Sequence, residues 1–259
     1  MSYKNLLTSQ RGGIARITVN SPGKANSLDR ETVAELKLAF ESLGHLPETR
    51  VVVLTGAGER AFIGGADINV LESLTPSSAE PFIRSLHEMM HAVRSMPVPA
   101  LAEVNGHALG AGLELMMACD IAIAAEHAML GMPEVKLGMP SVIEAALMTP
   151  ILGLMRTREL LLTGDNISAQ EAWRIGLVNQ VVKSEELPGA VGAMCRRLMS
   201  NPAGGVRVQK QLINRWLNLP MDEAIEAGVR SFMSAYSTGE PGAAIADFKA
   251  KRLIRMKSG

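Results

Sequence analysis

Glu114 and Glu134 stand twenty residues apart, each inside a glycine-containing apolar stretch. The first closes Gly106-His107-Ala108-Leu109-Gly110-Ala111-Gly112-Leu113-Glu114, and the second follows Leu130-Gly131-Met132-Pro133. Burying a carboxylate in such surroundings is costly unless it is paired, hydrogen-bonded or used. Two carboxylates facing one cavity can hold a water between them and divide the acid and base roles.

The Gly110-Ala111-Gly112 turn opens a predicted helix. Amides at a helix start have no intrahelical acceptor and can stabilise a developing oxyanion, and small residues let a ligand approach the backbone. Glu114 lies about one turn in. The structural alternative is tight helix–strand packing with a solvated glutamate; from this segment alone the two readings have equal weight. The loop Ala61-Phe62-Ile63-Gly64-Gly65-Ala66-Asp67-Ile68 offers a second set of amides. On its own it reads as an ordinary turn.

Two further motifs compete. His87-Glu88-Met89-Met90-His91 is a literal HExxH on a predicted helix, the zincin pattern, in which two histidines bind zinc. No third ligand follows at a metzincin spacing, and a polar helix face carrying two histidines is the simpler reading. Gly56-Ala57-Gly58-Glu59-Arg60-Ala61 imitates a dinucleotide fingerprint after a strand. A helix must then begin, but Phe62-Ile63-Gly64-Gly65 continues the loop, so this reading is rejected. His107 reads as packed or at a rim, His45 and His127 as surface residues, and Trp173 and Trp216 as packing.

The elements that must position these residues alternate between strand and helix. Ile14–Asn20 alternates at period two and reads as a strand; Val33, Leu36 and Phe40 recur at helical spacing from Asp29 to Leu43, with Gly44 as the stop. Val51–Leu54 is a short buried strand followed by a glycine-rich loop through Asp67. A helix is predicted over Ala79–Met96, ended by Pro97 and Pro99. Strand Ala100–Val104, a glycine loop, helix Ala111–Cys119 and strand Ile121–Ala124 follow. Ser168-Ala169-Gln170-Glu171 reads as a capping box, its helix ending at Gly176, and Val178–Val182 as a strand. This rhythm argues for an α/β fold of stacked short units rather than an ordinary doubly wound sheet. From Glu186 onward the chain reads as helix. Two regions are expected: residues 1–200 as an α/β core, and residues 201–259 as a helical region whose apolar faces call for a partner subunit.

Composition narrows the class. The 259 residues are 47% hydrophobic, enough for a full core, but only 3% aromatic, so aliphatic residues and the 16 Met must fill it. Lys+Arg 26 balances Asp+Glu 26, so no global charge draws the chain to nucleic acid or to an anionic membrane. Cys119 and Cys195 form no CxxC; Cys119 reads as a buried thiol, and a reducing cytoplasm fits. The N-terminal segment lacks the apolar core of a signal peptide, and the apolar stretch from Leu109 to Ala125 is broken by Glu114 and Asp120.

Several of these segments, in order and spacing, resemble the enoyl-CoA hydratase/isomerase (crotonase) superfamily: Phe62–Ile68, Asn105–Leu115, Cys119–Ala124, Pro133–Gly138 and Leu162–Ala172. The resemblance implies a spiral of ββα units with a helical C-terminal part that builds trimers, often stacked as hexamers. It implies an acyl-CoA thioester substrate, with no cofactor beyond the coenzyme A of that substrate and no metal. It makes the N–H groups of Ala66 and Ala111 the oxyanion hole, and places coenzyme A near Lys24, Ala25, Asn26, Ile63, Asp67 and Ile68, with Phe248 and Lys251 as a further segment that reaches it.

Members that hydrate double bonds carry glutamates at both the Glu114 and Glu134 positions, so the resemblance favours hydration of a trans-2-enoyl-CoA. Glu114, near a positive helix end, is expected to stay ionised and act as base, and Glu134 to deliver a proton to Cα. Double-bond isomerisation, thioester hydrolysis and C–C cleavage are the alternatives on the same oxyanion hole. A zinc protease built on His87 and His91 and a non-catalytic coenzyme-A-binding scaffold are the alternatives from other classes. One stretch departs from the pattern. Hydratases commonly show a proline and then a glycine-rich run after the Gly138 position; here the chain reads Met139-Pro140-Ser141-Val142-Ile143-Glu144-Ala145-Ala146. Glu144 is either a third catalytic acid or a carboxylate on a helix surface or first turn, and the acyl pocket is expected to be reshaped.

Overall fold

A computed structural model describes the backbone of residues 3–257 and the side chains of residues 3–251. The chain folds as two compact units, with the boundary between Cys195 and Arg196.

The first unit holds two sheets. The larger has the order β1 (Leu6–Arg11), β2 (Ile14–Val19), β3 (Val51–Gly56), β5 (Ala100–Val104), β7 (Ile121–Ala125) and β10 (Gln180–Val182). The smaller has the order β4 (Ala61–Ile63), β6 (His107–Leu109), β8 (Met129–Gly131) and β9 (Ile167–Ser168). β1 is an antiparallel edge; β2, β3, β5, β7 and β10 pair in parallel. Each turn of the chain lays one strand in the large sheet and the next in the small one: β3 then β4, β5 then β6, β7 then β8. With a helix after β4 and after β6, this is the spiral of ββα units that the resemblance implies. The strands buried on both faces are the continuously apolar ones, as Val51-Val52-Val53-Leu54 illustrates.

Helices fill the turns of the spiral: α1 (Arg30–Leu43), α2 (Ile68–Glu72), α3 (Pro76–Ser95) and α4 (Ala111–Ala118), then α5 (Met148–Leu152), α6 (Leu154–Thr163) and α7 (Ala169–Arg174); α8 (Leu187–Met199) follows the last strand and carries the boundary between the units. Asp29 caps α1 through a bond from the Thr32 N–H. α3 begins earlier than its apolar period predicts, because Thr75 and Ser78 form a reciprocal capping box ahead of it. At α7 only half of the expected box forms: Ser168 accepts from the Glu171 N–H at 3.2 Å, while the Glu171 carboxylate turns to Arg174 and Arg156.

The core is aliphatic and methionine-rich, with Leu36, Phe40, Phe82, Met89, Met90 and Met116 at its centre. Among the described residues seven methionines are buried, while Met155, Met221 and Met233 are exposed. Trp173 and Trp216, expected in packing, are half-exposed on the chain, and Cys119, expected buried, is partly exposed.

Two asparagines fix the turn between β3 and β4. Asn105 accepts from the Thr55 hydroxyl (3.0 Å) and the Gly56 N–H (3.1 Å), and donates to the Gly56 and Gly58 carbonyls (2.8 and 2.6 Å). Asn26, fully buried, accepts from the Ser21 N–H and donates to the Ala57 and Ala61 carbonyls. The imitation fingerprint is therefore a turn pinned from both sides that leads into β4, not into a helix.

The second unit contains α9 (Ala203–Trp216), α10 (Met221–Tyr236) and α11 (Glu240–Lys257). The Glu240 carboxylate accepts the Gly204 and Gly205 N–H groups at 3.0 and 2.9 Å, tying the start of α11 to the start of α9. Trp216 donates its indole N–H to the Ala224 carbonyl at 3.0 Å. Phe232, Met233, Met221 and Ile225 on α10 are exposed. No helix of the described residues is long and apolar enough to cross a membrane.

Candidate active site

A cavity of about 250 Å³ opens beside the N-terminus of α4, lined by both glutamates, Ala66 and Ala111. Four separate chain segments meet there.

The first is Gly64–Ala66, between β4 and α2. Residue 28 runs alongside: Leu28 donates its N–H to the Gly65 carbonyl (2.8 Å), and the Asp67 N–H donates to the Leu28 carbonyl (3.0 Å). These two bonds hold Ala66 from either side. The Ala66 N–H between them has no backbone acceptor among the described residues.

The second is the start of α4. Gly110 stands at φ 51° and ψ −125°, a conformation closed to residues with a Cβ. A Cβ there would also strike Glu134 Oε1. Gly110 accepts from the Leu113 and Glu114 N–H groups, so Ala111, the first helical residue, keeps its N–H free of intrahelical partners. A Cβ on Gly112 would strike the Ile63 carbonyl, so only glycine lets α4 sit this close to β4.

Glu114, on the same helix, is 4% exposed. One oxygen accepts the Ala145 N–H at 2.8 Å. Burial pushes its carboxyl up to about 8, and the charges of Glu134 and Glu144 add to that; the Ala145 bond opposes it. The acid form therefore predominates at neutral pH. The helix start does not keep Glu114 ionised, because desolvation outweighs it.

Glu134 comes from the facing segment, a 3-10 turn over Pro133–Leu137, and is half-buried. Its Oε2 accepts the Ser141 hydroxyl at 2.8 Å. Val142 and Ile143 continue that wall. Ile143 has φ +45°, a left-handed conformation unusual for a β-branched residue and strained by roughly 1–3 kcal/mol. Glu144 lies in the first turn of a 3-10 helix over Ile143–Leu147, as one of the expected readings had it, but not at the surface: it is 2% exposed, facing His87 Nδ1 at 3.0 Å and Arg94 at 3.4 Å.

Of the coenzyme A candidates, Ile68 lines the cavity. Lys24 is exposed at the end of a 3-10 turn, and Ala25 gives its carbonyl to the Gly64 N–H. Three side chains are committed elsewhere. Asn26 braces the β3–β4 turn, Ile63 is core, and Asp67 caps α2 through Asn69 while accepting the Ser27 hydroxyl. In the second unit, Phe248 is exposed and Lys251 pairs with Asp247 at 2.6 Å. Of the HExxH residues, Glu88 pairs with Lys37 and His87 meets Glu144, with the two imidazoles 6.2 Å apart. Among the described residues no group of three His, Cys, Asp or Glu is placed to hold a metal ion. His107 accepts the Met129 N–H, which fixes it in the packing between β6 and β8. His45 and His127 are exposed.

Sequence reasoning missed Ser141 as the partner of Glu134 and the Ala145 amide as the partner of Glu114. Neither carries a signal in residue type: one is a serine among loop residues, the other a backbone group.

The likeness to known proteins covers nearly the whole chain. Residues 9–258 match the family model described as enoyl-CoA hydratase/isomerase. The short-chain-enoyl-CoA hydratase of Clostridium acetobutylicum is 33% identical over 255 residues, 98% of each chain. The crotonyl-CoA hydratase of Syntrophomonas wolfei is 33% identical over 253 residues, 97% of each. The crystal structure of an enoyl-CoA hydratase from Bacillus anthracis superposes with a TM-score of 0.92 at 31% identity, covering 96% of this chain and 97% of that one. With its two-sheet spiral, paired glutamates and full-length similarity, the chain belongs to the enoyl-CoA hydratase/isomerase family.

Proposed function

We infer that the protein is an enoyl-CoA hydratase, adding water across the double bond of a trans-2-enoyl-CoA thioester. The observation that carries this reading is one cavity lined by two carboxyls, Glu114 and Glu134, and by two residues whose amides have no backbone acceptor, Ala66 and Ala111. The thioester carbonyl sits against the two amides, which take up the charge that develops on its oxygen as the enolate forms. Water oxygen bonds to Cβ, the C=C π pair moves to Cα and the carbonyl, and Cα then takes a proton. Burial favours a proton on Glu114. One carboxyl gives its proton to Cα and the other accepts one from water, so the pair leaves as it entered. Acid and base roles belong to the pair as a coupled unit.

The apolar part of the cavity, with Leu71, Ile83, Leu86 and Ile143, takes the acyl chain. Backbone groups around Ala25 and Ile68, with Lys24 for phosphate, are the proposed coenzyme A contacts. The reading calls for no cofactor beyond coenzyme A and no metal, so chelators should leave the rate unchanged. The exposed apolar residues of α10 support assembly of the second unit into a homotrimer, alone or stacked as a hexamer. Two cysteines outside any disulfide, Cys119 and Cys195, fit a cytoplasmic enzyme.

The test is loss of enoyl absorbance on mixing with crotonyl-CoA, with the product identified by mass. Gain of one water establishes hydration. An unchanged mass with a migrated double bond overturns it in favour of isomerisation; free coenzyme A overturns it in favour of thioester hydrolysis. Light scattering on the same sample reads the number of subunits.

A further inference from the structure

The segment 142–145 performs three tasks within four residues. Val142 and Ile143 line the cavity, the Glu144 side chain turns away into the protein, and the Ala145 N–H meets Glu114 at 2.8 Å. Such a segment has no regular structure to hold it beyond a short 3-10 turn over Ile143–Leu147. It also contains the strained φ of Ile143, which persists only where the surroundings over-determine it. What fixes it is Glu144. This carboxylate is 2% exposed and faces two side chains of α3: His87 Nδ1, 3.0 and 3.2 Å from its two oxygens, and Arg94, 3.4 Å away. α3 in turn packs on α4, which carries Glu114.

We propose that Glu144 is a positioning residue for the hydration site: by anchoring residues 142–145 to α3 through His87 and Arg94, it presents the Ala145 amide to Glu114, sets the Ile143 wall and places a negative charge behind the Glu114 carboxyl. It touches neither water nor thioester. Its first effect is geometric, because the Ala145 N–H aims at Glu114 only while the turn is held. Its second is electrostatic, because the charges of Glu144 and Glu134 both favour the protonated form of Glu114. The charged and titratable groups around this centre are His87 and Arg94 from α3, Glu114 from α4 and Glu134 from the Pro133–Leu137 turn; α5 contributes none. Beyond His87, toward solvent, stand Glu88, His91, Lys37, Glu41 and His45.

The inference rests on the hydratase reading for its kinetic assay but not for its second readout. Glu144→Gln keeps the shape and an acceptor oxygen for His87 and Arg94 while removing the charge. An inflection from Glu114 in log(kcat/KM) for crotonyl-CoA should move to lower pH by ~0.5 unit or more. Glu144→Ala removes the anchor, and kcat should fall about tenfold or more, as expected when a supporting hydrogen bond to a catalytic carboxyl is lost. Independently of turnover, the thermal-midpoint difference between Glu114→Gln and its parent should grow from pH 5 to pH 9. That growth should be smaller when both carry Glu144→Gln. A merely structural Glu144 would lower the midpoint and leave both pH dependences in place. A folded Glu144→Ala with wild-type kcat overturns the proposal; should that variant fail to fold, an unmoved inflection together with an unchanged midpoint difference in Glu144→Gln overturns it. Absence of hydration by the parent protein, with the midpoint pattern intact, would overturn the hydratase reading alone.

Discussion

The two walls of the cavity are built in opposite ways. One is α4, eight residues of regular helix, every one buried, with Glu114 among Leu113, Leu115 and Met116. The other, Pro133–Leu147, is two 3-10 turns joined by a loop, with Val135, Leu137 and Val142 exposed and Ile143 strained. The helical wall supplies a desolvated carboxyl and an oriented amide. The irregular wall supplies a partly solvated carboxyl, Glu134, steadied by a single hydroxyl. Chemistry that needs one proton donor and one proton acceptor is served by that asymmetry. Burial in the helical wall raises the proton affinity of Glu114.

The comparison can be broken most severely at its centre. Glu114→Gln and Glu134→Gln should each lower kcat by about 10²–10⁴, with coenzyme A thioester binding retained, read by turnover and by equilibrium binding. Near wild-type rates in both would end the assignment of the pair. Gly110→Ala forces a Cβ into a glycine-only conformation and against Glu134, so its loss of kcat should approach that of Glu134→Gln. A smaller effect follows from Ser141→Ala, which removes one hydroxyl from Glu134. About tenfold in kcat, the worth of one hydrogen bond of roughly 1–1.5 kcal/mol, is expected, and none at Glu114.

A separate test concerns stability rather than rate. Glu114 is raised from an ordinary 4.5 to about 8 in the folded chain. The folded state therefore binds a proton more tightly than the unfolded one. The stabilisation is complete below the unfolded value and is lost as pH rises toward and through 8. The shift corresponds to roughly 5 kcal/mol at about 1.4 kcal/mol per unit. Glu114→Gln, which cannot ionise, should melt near wild type at pH 5 and roughly 10–20 °C higher at pH 9, at about 2–4 °C per kcal/mol for a chain of this size. Parallel melting curves across that range would place the proton elsewhere.

The same asymmetry explains what is legible in the sequence. β2, β3, β5 and β7 announce themselves by period two or by continuous apolar runs, and α1 and α4 by spacing and end signals. β4, β6 and β8 have three residues each, too few to show any period; β4 and β6 read as glycine loops, and β8 is given no element. β1 buries only Leu6 fully and is equally silent. In the site, the glutamates are visible because charge in an apolar stretch is conspicuous. The proton affinity of Glu114 is not, since it depends on how completely the fold removes water. Proximity to a helix start suggests an ionised group, and desolvation reverses it. Glu144 stands out as a departure from the family pattern, but its place against His87 and Arg94, fifty and more residues earlier in the chain, depends on contacts that only the fold creates.

Asn105 precedes Gly106, and that dipeptide carries a consequence for the lifetime of the molecule. An asparagine before glycine is the pair most prone to spontaneous deamidation, in which the next backbone nitrogen attacks the side-chain amide carbon. Asparagine is among the thermolabile residues for that reason. Here both ends of the amide are occupied, the oxygen by Thr55 and Gly56 and the nitrogen by two carbonyls. The side chain cannot swing onto the Gly106 nitrogen while the β3–β4 turn is closed. Chemical ageing at this position thus proceeds only through the fraction of molecules in which the turn has opened. Deamidated Asn105 accumulating over months of storage is a clock for that opening.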